Sequence, residues 1–172
     1  MTSIKPCEVP TASLLRKYKD DHGYADCYVA EVTGAVSQAA FIEAFYTSAL
    51  FKVERAILKH LLARPSTDAE AKQLANGSTE HFAAWRVEGR SASELLLTDF
   101  AGRTRSWLMA SHFDGGTDGV CTRLYFGSAL VPRRSKGGRQ AAMGWLFHAL
   151  LGFHRLYSRL LLSAARSRAR PG

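Results

Sequence analysis

Apolar positions change their spacing three times along this chain, and each change marks a new kind of element. From Tyr24 to Val32 the run YADCYVAEV is rich in β-branched and aromatic residues and is closed by Thr33-Gly34, which predicts a first strand. The spacing then turns helical. Ser37 is placed to cap a helix over 38–47 in which Ala40, Phe41, Ala44 and Phe45 form one apolar stripe. After an interruption at Thr47-Ser48, Leu50, Val53, Ile57, Leu58 and Leu61 share a second helical face, with Lys52, Glu54, Arg55 and Lys59 covering most of the rest. Pro65 ends that helix. Thr67 and Glu70 have capping-box spacing, and Asn76-Gly77 supplies a stop, so a third short helix is expected over 68–75.

Alternation replaces helical spacing after Gly77. Strand-like runs at 81–88, 94–100, 103–113 and 120–131 are separated by short glycine-bearing breaks, which predicts an antiparallel meander of four strands. A basic loop from Pro132 to Gly138 follows. From Arg139 to about Arg166 only Gly144 and Gly152 weaken a helix, and a long terminal helix is expected. Stepped at about 100° per residue, Met143, Leu146, Leu150, Phe153, Tyr157, Leu160 and Leu161 fall on one wide apolar arc, with His148, Arg155 and Arg159 opposite. A helix so broadly apolar needs a surface that covers it. The expected fold class is therefore α+β, a helix-grip arrangement in which a curved antiparallel sheet wraps the long C-terminal helix, with short helices after the first strand. The first 22 residues, with Pro6 and Pro10 and little periodicity, read as a partly ordered lead-in with no site. Residues 23–166 form the single domain and 167–172 a basic tail.

Two polar residues interrupt the apolar arc. His154 and Ser158, one turn apart, point inward beside Tyr157, and they either bond core groups or orient a ligand, since a buried imidazole or hydroxyl needs a partner. On the third meander strand Arg103, Arg105, Trp107 and Met109 share one face, and Thr104, Ser106, Leu108 and Ala110 share the other. The alternation does not say which face is inside. If the Trp107 face is, Arg105 becomes a buried cation able to hold a carboxylate or enolate; otherwise it lies solvated at the rim. Trp85 and Tyr125 alternate as wall residues on neighbouring strands, where aromatic side chains serve core packing as readily as ligand stacking. Asp26, bracketed by Tyr24, Cys27 and Tyr28, is either a solvated outer residue or a partly buried general base.

Composition narrows the classes. At 172 residues, 47% hydrophobic and 22% charged, the chain is long enough to bury a core without staples. Cys7, Cys27 and Cys121 are odd in number and form no CxxC pair, which argues against a disulfide framework or thiolate zinc site and for a reducing compartment. Residues 1–22 lack the apolar core of a signal peptide, and Met143 to Phe153 is too short to span a bilayer; a cytoplasmic protein is expected. The formal charge of +8 is uneven: Met1 to Asp118 carries 13 Lys/Arg against 15 Asp/Glu, and Gly119 to Gly172 carries 10 Lys/Arg and no acid. Arg133, Arg134, Lys136, Arg139, Arg166, Arg168 and Arg170 could dock on an anionic membrane; nucleic acid is the poorer partner, for want of a recognition helix or stacking pattern. No phosphate loop, HExxH helix or GxSxG elbow occurs, and His148 and His154 are too far apart around the helix to share a metal; no cofactor is called for.

Strand, two helices, meander and long terminal helix, in that order, resemble the START-like, helix-grip (SRPBCC) superfamily of polyketide cyclases, plant pathogenesis-related allergens and lipid-transfer domains. Trp85-Arg-Val-Glu88, Leu95-Leu-Leu97, Gly102-Arg-Thr-Arg-Ser-Trp-Leu108, Thr122-Arg-Leu124 and Phe153-His-Arg155 resemble bacterial stand-alone members with no assigned activity. The chain departs from the family in showing five legible strands instead of six or seven, and in its extra helix at 68–75. The resemblance implies a hydrophobic cavity between sheet and terminal helix that takes up a lipid, polyketide or other flat apolar molecule. Trp85, Arg105, Trp107, Tyr125, His154, Tyr157 and Ser158 are the candidate ligand contacts. A cyclase or dehydrase using His154 or Asp26 is the alternative, because the superfamily spans binders and enzymes.

Overall fold

The computed structural model describes residues 4–20, 24–62, 65–131 and 144–169, with side chains for all of these except 20, 54, 57–62 and 144–155. It is α+β, with a seven-stranded antiparallel open sheet and a C-terminal helix. The elements run β1 (Lys5–Pro6), α1 (Arg16–Asp20), β2 (Tyr24–Thr33), α2 (Gln38–Tyr46), α3 (Ala49–Leu62), α4 (Asp68–Ala75), β3 (His81–Phe82), β4 (Trp85–Arg90), β5 (Glu94–Asp99), β6 (Thr104–Asp114), β7 (Val120–Leu130) and α5 (Gly144–Arg168). Strand order is β1-β2-β7-β6-β5-β4-β3. The last strand thus closes back beside the first long one, in unbroken register from Tyr24↔Leu130 to Thr33↔Cys121.

Local chemistry sets the helix boundaries where the sequence predicts them. The Ser37 hydroxyl accepts from the Ala40 amide at 3.1 Å. Thr67 and Glu70 form the reciprocal capping box, with the Thr67 amide donating to Glu70 Oε2 at 2.6 Å. The predicted run 81–88 divides into β3 and β4, because Ala83 takes a positive φ of 52° in the two-residue turn between them. That division, together with β1, makes seven strands of the expected five.

One face of the sheet carries the helices. Tyr28, Ala30, Leu95, Leu97, Leu108, Leu124 and Phe126 pack there against Phe41 and Phe45 of α2, Phe51 of α3, Leu74 of α4 and Leu161, Leu162 and Ala165 of α5. The opposite face is not left to solvent. Residues 7–18, part of the first 22 expected as a partly ordered lead-in, lie across it and build a second core: Val9 and Leu15 are buried against Cys27, Leu96, Trp107 and Ala129. This explains why β5 is buried along Glu94 to Thr98 without alternation, since a strand covered on both faces is apolar on both.

The terminal helix is less enclosed than its sequence arc implies. Ser158, Leu161, Leu162 and Ala165 are buried, but Leu156 and Leu160 are about half exposed, at 57% and 49%. Leu160, assigned to the buried arc, stands at the rim instead. Helix α5 runs on to Arg168 and Ala169 is buried, so residues 167–169 of the expected tail continue the fold. The basic loop with Arg133, Arg134, Lys136 and Arg139, and also Arg170, lie outside the described residues.

A polar cluster pins the N-terminal segment. Glu88, the extra residue of a bulge in β4, is bonded by Lys17 Nζ at 2.8 Å, by the Tyr18 hydroxyl and by Arg105 Nε at 2.5 Å. Burial alone would raise the Glu88 carboxyl, yet hydrogen bonds from Lys17 and Tyr18 and the charge of Arg105 outweigh it and hold it below the ordinary 4.5. A depressed carboxylate contributes stability that is present above its unfolded value and lost as pH falls through its folded one. Acidification below 4.5 is therefore expected to loosen residues 9–18 before the helix-bearing face, seen as faster amide hydrogen exchange there; uniform exchange across both faces would contradict this.

Candidate functional site

Side-chain size along two paired strands opens a cavity on the helix-bearing face. The inward positions of β6 run Thr104, Ser106, Leu108, and those of β7 run Ser128, Phe126, Leu124, with Ser106 directly opposite Ser128. Leucine and phenylalanine fill the space under α2. The small hydroxyl residues do not fill the space under α5, and a cavity of ≈ 550 Å³ remains. Its walls are apolar: Phe45, Phe51, Trp85, Phe126, Tyr157 and Leu161. Phe45 braces them, with ring centroids 4.8 Å from Phe126 and 6.0 Å from Phe51. Val53, Leu156 and Leu160, all exposed, line it as well and make an apolar rim.

The polar groups are few. The Ser106 hydroxyl lies 3.4 Å from the Tyr46 hydroxyl, and Ser128 Oγ donates to Asp26 Oδ1 at 2.6 Å. Two lining residues carry polar atoms, Ser158 Oγ and Trp85 Nε1, that are buried with no hydrogen-bond partner among the described residues. Ser158 itself is fully buried.

Of the seven residues singled out in the sequence, the cavity brings together Trp85, Tyr157 and Ser158, and Arg105 borders it. The Arg105 charge does not face a ligand. Its Nε contacts Glu88 Oε2 at 2.5 Å and donates to the Tyr18 hydroxyl at 2.9 Å, and Nη1 donates to Gly102 O at 3.0 Å, with the guanidinium turned to Tyr18, on the face that residues 7–18 cover. Trp107 and Tyr125 belong to that face too, with ring centroids 6.2 Å apart. They are wall residues of the second core, because the strand alternation sends Ser106 and Phe126 to the helices. Burial raises the Tyr125 phenol, against the opposing pull of Arg123. The His154 side chain lies outside the described residues.

Asp26 is committed elsewhere. Its Oδ1 accepts from the Ser128 hydroxyl and amide and its Oδ2 from the Tyr24 hydroxyl at 3.2 Å, so the carboxylate joins β2 to β7 and is not free to act as a base on a bound molecule.

Sequence reading missed Phe45, Ser106, Phe126 and Ser128 as cavity residues. Leu14 and Leu15 held the signal: apolar residues in the N-terminal segment need a surface, and the Trp107 face is the one they take.

Compared with protein-family models, curated proteins and solved structures, the chain finds no match in any of the three. Among the described residues no helix is long and apolar enough to cross a membrane.

Proposed function

We propose that this chain binds a small, uncharged apolar or aromatic molecule, lipid-like or polyketide-like, in the cavity between the sheet and α5, as the START-like resemblance implies. The observation that carries the reading is the pair of buried, unpartnered polar atoms, Ser158 Oγ and Trp85 Nε1, at the edge of an otherwise apolar cavity. A buried donor without a partner costs on the order of 1–3 kcal/mol, and a ligand oxygen that reaches either atom through a small shift of the cavity wall removes that cost. The cavity size falls within the usual range for small-molecule sites, roughly 300–1,000 Å³. With the Arg105 charge neutralised by Glu88, the described lining offers hydrogen bonds and apolar surface in place of a cation, which favours a carbonyl or hydroxyl compound over a carboxylate.

Nile red, a neutral fluorophore, tests this. It is expected to bind saturably, one per chain, and to be lost in Ser158→Phe, whose ring fills the cavity. Ser158→Ala separates site from scaffold by the sign of its two effects. Removing an orphaned hydroxyl is expected to stabilise the empty protein by about 1 kcal/mol, while affinity for a carbonyl-bearing probe falls by on the order of fivefold. Urea unfolding and fluorescence titration read the two quantities. Undiminished Nile red binding by Ser158→Phe would sink the proposal.

A further inference from the structure

At the β1 edge of the sheet two cysteines, twenty residues apart in sequence, meet with their Sγ atoms 3.1 Å apart, both as free thiols. The β1–β2 register puts them there: Lys5 faces Val29 and Pro6 faces Tyr28, so Cys7 falls opposite Cys27, and the Cys7 amide donates to the Cys27 carbonyl at 2.9 Å. Opposed residues of antiparallel strands have Cα atoms about 4.5–5.5 Å apart, within the roughly 4.4–6.8 Å that a disulfide requires. The two thiols differ in access. Cys27 is 3% exposed, whereas Cys7 is half-buried, and both border a second cavity of ≈ 630 Å³ lined by the cations Lys19 and Arg159 and the carboxylates Glu8 and Asp26, with Lys19 paired to Glu8 at 3.0 Å.

We propose that Cys7 and Cys27 form a thiol-modification site for low-molecular-weight disulfides, with Cys7 attacking and Cys27 resolving, that closes into a disulfide fastening the N-terminal segment to β2. Access sets this division of roles: the half-buried Cys7 sulfur is the one an incoming disulfide can reach, and the buried Cys27 sulfur, 3.1 Å away, is placed to attack only what forms on Cys7. In the first step the Cys7 thiolate attacks one sulfur of the incoming disulfide. A mixed disulfide forms as the oxidant's S–S bond breaks, and one small thiolate leaves. In the second step Cys27 gives up its proton to solvent and its sulfur attacks Cys7 Sγ, expelling the second small thiolate. The protein dithiol is oxidised by two electrons, and the small disulfide is reduced to two thiols. The product ties residue 7 to residue 27 and so holds Val9 and Leu15 over Trp107.

Oxidised glutathione is the probe, followed by alkylation with N-ethylmaleimide and peptide mass mapping of the full chain. Free thiols are expected to fall from three per chain to one, Cys121 remaining alkylated, with a Cys7–Cys27 linked peptide that dithiothreitol removes. In Cys27→Ser a glutathione adduct should persist on Cys7; in Cys7→Ser neither adduct nor disulfide should form. The wild-type readout stands by itself should either variant fold poorly. Three alkylated cysteines after oxidised glutathione, or an adduct left unresolved on wild-type Cys7, would overturn the proposal.

Discussion

Glu94→Ala is expected to cost this protein about 2–6 kcal/mol, a loss comparable to the whole stability of a marginal domain. The carboxylate is buried, at 9% exposure, and its Oε2 accepts two hydrogen bonds, from Trp107 Nε1 at 2.7 Å and from the Leu14 amide at 2.8 Å. Removing it strands both donors, and each buried donor without a partner costs roughly 1–3 kcal/mol. One is the indole of a fully buried tryptophan and the other is backbone of the N-terminal segment, so the same substitution unseats the second core. Glu94→Gln keeps an acceptor oxygen and should lose less, roughly 1–2 kcal/mol. Urea midpoints measure both. Nile red affinity should stay unchanged in Glu94→Gln, because Glu94 and the cavity lie on opposite faces of the sheet. An Ala variant as stable as the wild type would show that Trp107 is not held as described.

How much of this could be read beforehand depends on whether the controlling interaction is local. Ser37, Thr67 and Glu70 cap their helices within a few residues of themselves, and α2, α3 and α4 begin and end close to where spacing and caps place them. Ser158 on an apolar helical stripe pointed inward for the same reason. The orientation of β6 is different. Its two faces are chemically similar in sequence, each mixing polar and apolar residues, and the choice is made by chain more than eighty residues away. Leu14, Leu15 and Tyr18 of that distant segment cover the face on which Trp107 bonds Glu94 and Arg105 bonds Glu88, so two candidate ligand contacts, one of them the candidate cation, are turned away from the helices. The three consecutive leucines of β5 carried the missing sign, because a strand needs apolar residues on both sides only when both sides are covered. Leu160 erred in the other direction: the helical wheel places it on the apolar arc, but it stands at the cavity rim, about half exposed, between the buried Ser158 and Leu161.

Gly127 is the position at which that second core tolerates least. In register it lies between Cys27 of β2 and Trp107 of β6, on the face where Leu15 descends. A Cβ there would stand 2.5 Å from Leu15 Cδ2, 3.0 Å from Trp107 Cε3 and 3.0 Å from the Asp26 carbonyl oxygen. Leu15 and Trp107 are fully buried, and the Asp26 carbonyl belongs to the paired strand, so none of the three has free space to enter. Gly127→Ala should therefore cost about 1–3 kcal/mol by overpacking, less the roughly 0.4–1 kcal/mol gained from a stiffer unfolded chain. Gly127→Val should displace residues 9–18 altogether, which faster amide exchange and acrylamide quenching of Trp107 would report. Leu15→Ala supplies the cross-check. By itself it should cost about 2–5 kcal/mol, but in a Gly127→Ala background it opens the space that the new methyl needs, and its cost should fall by 1 kcal/mol or more, on the order of couplings between touching residues. Strict additivity of the two substitutions would mean that Leu15 does not rest on Gly127, and the packing of the N-terminal segment over the sheet would have to be redrawn.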